Sequence, residues 1–379
     1  MKRNLLLTPG PTQIPPDLCA ALGRPIIHHR TPQFAQNLKD VIEGLQYVLQ
    51  TKSDIYLLAS SGTGGMEAAV SNLVGVGDKV VTVNGGKFGE RWGDLCKAFG
   101  ADPKIIDVEW GKAVKPERIK DILEKEKDMK AVFITQNETS TGVVMDVKAI
   151  ADVVKKTDAV LVVDAVSGLG VVDLKMDAWG VDVVVSASHK GFMLSPGVAF
   201  VAMSPKAQKL MDACKTPRFY FDLRKSKKLF DKPDTPFTPA IGIIIALNES
   251  LKKFKDNGRE ALLAKYARLA RATRAAAKAL GMTLLADDDC ISNAVTAINL
   301  PEGVDGGKVV KLMRDTHGIS IAGGQAQLKG KIIRIAHMGC VDEYDILTGI
   351  SCLEKVLKEL GYKFELGAGV AAAQKVFNE

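Results

Sequence analysis

The chain has 379 residues, 46% of them hydrophobic and 25% charged, with a formal net charge of +7. That length fits one large α/β domain plus a smaller one, and the composition excludes disordered and fibrous classes. Lysines and arginines are mixed with acids through stretches such as 116–130 and 252–274, and no basic run is interleaved with aromatics, so the charge reads as solvated helix faces and nucleic acid is excluded as a partner.

Residues 5–16 are proline-rich and read as an extended lead-in arm rather than an element. A helix is predicted over 32–50, with Phe34, Leu38, Val41, Ile42, Leu45 and Leu49 at helical spacing. Just ahead of it, His28, His29 and Arg30 form a loop that is either exposed decoration or a face for an anionic substrate. A strand at 55–59 runs into Ser60-Ser61-Gly62-Thr63-Gly64-Gly65, and a helix is predicted to follow from Met66. Such a glycine-rich turn exposes backbone N–H groups at the positive end of a helix dipole, which makes it an anion cradle or simply a tight turn. It is neither G-x-G-x-x-G nor a P-loop, so it specifies no dinucleotide or triphosphate.

The strand at 79–83 ends in Asn84-Gly85-Gly86-Lys87-Phe88, where a single aromatic among glycines either stands over a flat ligand or anchors the core. The apolar strand 131–135 leads into a loop of amides and hydroxyls, 136–142. In the strand at 161–165 the chain buries a carboxylate, Asp164, which needs a cation or hydrogen-bond donors to offset its desolvation. The β-branched run 181–187 then delivers Lys190 at a strand's carboxyl end, the edge where open α/β sheets bind ligands and where a partly desolvated lysine becomes a usable nucleophile. The next strand, 197–203, reads as an antiparallel or edge companion.

Strands and helices alternate to about residue 205, which predicts a large, doubly wound, mainly parallel sheet. After a polar, proline-punctuated excursion at 219–237, a helix is predicted from Thr238 through Leu251 and an amphipathic one over 258–280. Strand, helix, strand and helix at 294–300, 307–316, 331–336 and 344–360 then predict a smaller α+β domain. The expected units are an arm (1–16), a large domain (17–250) and a small C-terminal domain (251–379). Six scattered cysteines without a C-x-x-C pair, no secretory leader and no apolar run long enough for a bilayer lead to the expectation of a cytoplasmic protein with reduced thiols, no metal set and no membrane partner.

A strand-end amine, a buried carboxylate, an anion cradle, a protruding aromatic and a hydroxyl-rich loop are together what pyridoxal 5'-phosphate asks of a protein. At this point the chain resembles the fold-type I, class V pyridoxal-phosphate aminotransferases, close to the alanine–glyoxylate and serine–pyruvate group. The resemblance runs from Thr8-Pro9-Gly10-Pro11 through Ser61-Gly62-Thr63-Gly64, Glu138-Thr139-Ser140-Thr141-Gly142 and Ser188-His189-Lys190 to Arg334-Ile335-Ala336-His337-Met338-Gly339.

That resemblance implies Lys190 as the cofactor-bound lysine and proton shuttle, and Asp164 as the partner of the pyridinium nitrogen. It implies Ser61, Gly62 and Thr63 at the phosphate, with His189 beside it where many relatives have glutamine. Phe88 would stack on the ring, Thr139 would lie near the ring hydroxyl, and Thr238 would reach the neighbouring subunit's phosphate in a homodimer with shared sites. Arg334 would bind the substrate α-carboxylate, and His29 and Arg30 would meet a side-chain anion. A tyrosine that some relatives contribute across the dimer is missing from 234–237.

The activity implied is transfer of an amino group from alanine or serine to glyoxylate or pyruvate. Aspartate or phosphoserine as donor, another activity on the same fold and a non-catalytic scaffold subunit are the alternatives. Cysteine desulfuration needs a mobile cysteine in the small domain, and 318–330 contains none.

Overall fold

The computed structural model describes residues 4–379; residues 1–3 of the expected arm lie outside them. Seven strands form the large sheet: β1 (Asp54–Leu58), β2 (Lys79–Asn84), β3 (Asp102–Asp107), β4 (Ala131–Thr135), β5 (Val160–Asp164), β6 (Val183–Ala187) and β7 (Ala199–Met203). Their spatial order is β1-β7-β6-β5-β4-β2-β3, and every pairing is parallel except those of β7, which runs antiparallel to both neighbours. Every residue of β4, β5, β6 and β7 is buried, which is why these strands read as unbroken apolar runs. Strand β7 is therefore antiparallel as expected, yet it lies inside the sheet rather than at its edge.

Strand β3 is not foreshadowed in the sequence. It is one of the sheet's two edge strands, opposite β1, and most of its side chains are at least partly exposed, so it carries no apolar run to detect. At the start of the large sheet the helix over Gly62–Leu73 begins four residues earlier than expected. The glycine stretch is the helix's own first turn, and close packing requires its glycines: a Cβ at Gly62 would stand 2.8 Å from Val166 and one at Gly65 2.8 Å from Val185. Conversely, the helix expected from Thr238 spans Ile241–Asn257. Pro239 biases the residue before it away from helical backbone and delays the start.

A second, four-stranded antiparallel sheet takes the order Thr283–Leu284, Val295–Asn299, Ile332–Ala336, Ala322–Gly323. Helices Arg259–Ala279, Gly306–Asp315 and Glu343–Glu359 accompany it. A last helix, Ala368–Phe377, was not expected; buried Glu354 accepts from the Gly367 and Val370 amides at 2.7 and 3.0 Å and so fixes its start.

The arm is more than a lead-in. Leu5–Leu6 pairs in parallel with Ile319–Ser320, and the Leu7 carbonyl accepts from the Ala336 amide at 2.9 Å. Leu5 and Leu7 are buried in the core beneath the second sheet, so apolar burial anchors the segment. From there the chain crosses to the large sheet, where the Thr12 amide donates to the His189 carbonyl at 3.3 Å. No helix among the described residues is long and apolar enough to cross a membrane.

Candidate active site

Lys190 stands in the turn after β6, held there by its backbone: its carbonyl accepts from Thr12 Oγ1 at 2.9 Å and from the Met193 amide at 3.0 Å. Its side chain is buried, and Nζ donates to the Pro9 carbonyl. Gly10, at φ +122°, makes that approach possible, since a Cβ there would lie 2.2 Å from Nζ. Burial pushes the amine from its ordinary value near 10.5 down to about 8; Arg334 and Arg91 add to the fall, and Asp164 opposes it.

Asp164 ends β5 and is paired in register with Thr135 of β4 and Val185 of β6. Oδ1 accepts from the Val166 amide at 2.8 Å. Burial raises its carboxyl to about 6; a second buried carboxylate, Glu138, pushes the same way, while Arg91 and Lys190 pull it down. In the sequence Glu138 stands out only as part of the 138–142 motif, and nothing there marks Arg91 as a site residue.

At the carboxyl end of β1, Ser61 precedes the first helical turn. Its carbonyl takes the amides of Gly64 and Gly65 at 3.0 and 3.3 Å, its side chain makes no capping bond, and Ser61 and Thr63 are exposed. The first-turn amides of Gly62 and Thr63 are the donors a helix leaves for an anion. Arg91 donates to Thr63 Oγ1 at 3.1 Å and lies over the Phe88 ring, 4.9 Å from its centroid. Phe88 and Arg91 sit one turn apart on one helix, the only sequence signal that links them.

His189, next to Lys190, keeps a buried Nδ1 without a partner, and burial depresses its ring to about 4. Arg334 lies mid-strand in Ile332–Ala336, every residue of which is buried, on the face opposite Ile333 and Ile335. Its Nη1 donates to the Thr139 carbonyl at 2.7 Å and its Nε to the Gly323 carbonyl at 2.9 Å. Burial lowers the guanidinium to about 10, and Glu138 opposes that fall.

The structure thus gathers Lys190, Asp164, Arg334, Thr139 and Arg91; Arg30 and His29 make their contacts outside this set, and Thr238, expected at a neighbouring subunit's phosphate, also lies outside it. Arg30 is ion-paired with Asp234, and its Nη1 donates to the Thr235 carbonyl at 2.8 Å. His29 is partly buried, with its ring 4.8 Å from that of His28. Thr238 is exposed in a cleft lined by Leu57, Leu58 and Ala59, the residues that lead to the Ser61 turn.

These residues fit pyridoxal phosphate. The unpartnered His189 Nδ1 and the first-turn amides suit a phosphate, and a buried carboxylate with a depressed lysine suits a pyridinium ring and an aldehyde.

The family described as "Aminotransferase class-V" matches residues 10–339. The chain is 44% identical to a protein named "Soluble hydrogenase, small subunit" from Synechococcus sp., over 99% of each chain. It is 38% identical to the L-aspartate–glyoxylate aminotransferase of Paracoccus denitrificans, over 100% of this chain and 97% of that one. The crystal structure of ureidoglycine–glyoxylate aminotransferase from Bacillus subtilis superposes with a TM-score of 0.96 at 28% identity, covering 100% of this chain and 99% of that one. With the family matching across both sheets, the chain belongs to the class-V aminotransferases, pyridoxal-phosphate-dependent transaminases of fold type I.

Proposed function

We propose that the protein transfers the amino group of a small L-amino acid, alanine or serine, to glyoxylate or pyruvate. The observation that carries this reading is a single buried guanidinium, Arg334, held on the second sheet by the Thr139 and Gly323 carbonyls. One fixed guanidinium recognises an α-carboxylate and asks nothing of the side chain. Arg30, the second cation expected to select an acidic donor, is occupied by Asp234, which favours a small donor. Glyoxylate as acceptor is supported by the names of the Paracoccus and Bacillus relatives. The former also favours a second reading, in which aspartate is the donor.

Pyridoxal phosphate, when bound, supplies a carbonyl carbon for the amino group and a ring that accepts electrons. In this reading Ser61, Gly62, Thr63 and His189 hold its phosphate, Phe88 stacks on its ring, Thr139 lies by the ring hydroxyl and Asp164 faces the ring nitrogen. Arg334 holds the donor's carboxylate so that the Cα–H bond points at Lys190. The Lys190 amine, unprotonated above about pH 8 before cofactor binds, takes the proton that leaves Cα. Thr238 reaches the phosphate of a second subunit, so the working form is a homodimer with shared sites.

The test is an absorbance titration of the cofactor-loaded protein with L-alanine, L-serine and L-aspartate. Conversion of the lysine-bound band to the pyridoxamine band by alanine or serine at the lowest concentrations is expected; conversion by aspartate alone selects the second reading. Lys190→Ala is expected to lose turnover while keeping its fold by circular dichroism. Protein that stays colourless after cofactor addition overturns the proposal and favours a scaffold.

A further inference from the structure

The helix Lys87–Ala98, which carries Phe88, has no cap of its own: Gly86 precedes it and offers no side chain. Its free first-turn amides are nevertheless satisfied from a distant part of the chain. Lys87 N–H donates to Ser140 Oγ at 3.0 Å, and the Phe88 and Gly89 N–H groups both donate to Glu138 Oε2, at 3.0 and 2.9 Å. The other carboxylate oxygen, Oε1, accepts from Ser140 N–H at 3.1 Å and from Ser140 Oγ at 2.5 Å. A carboxylate accepts from all four donors, whereas an amide could accept at only one of the two positions and would turn its NH2 toward a backbone N–H at the other. Glu138 is 1% exposed, and a Cβ at Gly86 would come within 2.5 Å of its Cδ, so loop and helix start are in direct contact.

The residue between these two anchors has a second task. The Thr139 carbonyl accepts from Arg334 Nη1 at 2.7 Å. The tripeptide 138–140 therefore ties the start of the Phe88 helix to the guanidinium on the other sheet. The Glu138 charge also favours protonated Arg334 and raises Asp164.

We propose that Glu138 is a positioning residue for transamination: its buried carboxylate fixes the Phe88 helix on one side and, through the Thr139 carbonyl, the Arg334 guanidinium on the other. It touches neither substrate nor cofactor. The inference rests on the reading that Phe88 contacts the ring and Arg334 the substrate carboxylate, and it adds what sets both at once.

The test compares Glu138→Gln, Ser140→Ala, Phe88→Leu and Arg334→Lys in the cofactor-loaded dimer and reads two quantities. These are the KM for the amino donor and the dissociation constant of pyridoxal phosphate, the latter followed with the cofactor's induced circular dichroism. Glu138→Gln is expected to raise both constants about tenfold or more, since small displacements of positioned groups carry large kinetic penalties. Ser140→Ala, which removes two of the bonds and keeps the charge, is expected to move both in the same direction by less, and it carries the test if Glu138→Gln does not fold. Wild-type constants in whichever of these two variants folds, alongside altered constants in Phe88→Leu and Arg334→Lys, overturn the positioning role alone. Wild-type constants in Phe88→Leu and Arg334→Lys instead overturn the reading on which it rests. A lowered melting temperature with both constants unchanged identifies Glu138 as a cap and nothing more, and also overturns the proposal.

Discussion

His189 and Asp164 act in opposite directions on the acid stability of the cofactor-free protein. The His189 ring falls from its ordinary 6.5 to about 4 on burial, so between those values the unfolded chain holds the proton and the folded one does not. Stability is therefore lost as pH falls from 6.5 toward 4. Asp164 rises from 3.8 to about 6, so between those values the folded state holds the extra proton, and stability is lost as pH rises through that window. The two slopes offset each other between about pH 4 and 6. His189→Gln removes one of them, so its stability relative to the parent protein is expected to grow steadily from pH 6.5 down to 4 in urea unfolding. A constant difference over that range contradicts the buried, unpartnered ring. The sequence placed Lys190, Asp164 and His189 at strand ends; it gave no sign of Pro9 against Nζ, because that contact joins residues 181 positions apart.

Two helices start at the carboxyl ends of β1 and β2, and each depends on a glycine where another segment leaves no room. Gly62 abuts Val166, whose amide holds Asp164, so Gly62→Ala presses on the carboxylate as well as on the cradle. A destabilisation of about 1–3 kcal/mol is expected for such overpacking, together with weaker binding of pyridoxal phosphate. Thermal melting and a cofactor titration check this, and unchanged values in both contradict the close packing. Period and apolar content revealed the buried strands and the helix Pro32–Leu49. They did not reveal edge strand β3, whose mixed exposure leaves no pattern, or the remote capping of the Phe88 helix, whose start looks uncapped in the sequence alone.

Across the whole molecule, the segment 219–237 presents Phe219 and Tyr220 to the surface, 74% and 44% exposed, with Tyr220 stacked on Phe237 at 5.1 Å. Thr238 follows that aromatic cluster, an exposed apolar patch of the kind that marks a protein–protein surface. The cofactor-loaded protein is expected to sediment as a dimer, and Thr238→Ala to loosen pyridoxal phosphate about tenfold, the effect of one hydrogen bond to a charged group. A monomer, or an unchanged dissociation constant, argues against shared sites.

The sequence by itself determined the strand–helix alternation, the lysine and the aspartate at neighbouring strand ends, and the arginine among isoleucines. These depend on local patterns of burial, and burial is written in residue type. Only the tertiary structure decided that the arm pairs with Ile319–Ser320, bonds to the second sheet through the Leu7 carbonyl and passes over Lys190, that Arg30 is occupied by Asp234, and that Glu138 serves the Phe88 helix and, through Thr139, Arg334. Each is a hydrogen bond or ion pair between residues far apart in the chain. Such a pairing follows from how the two sheets and the arm are brought together, which no local spacing encodes.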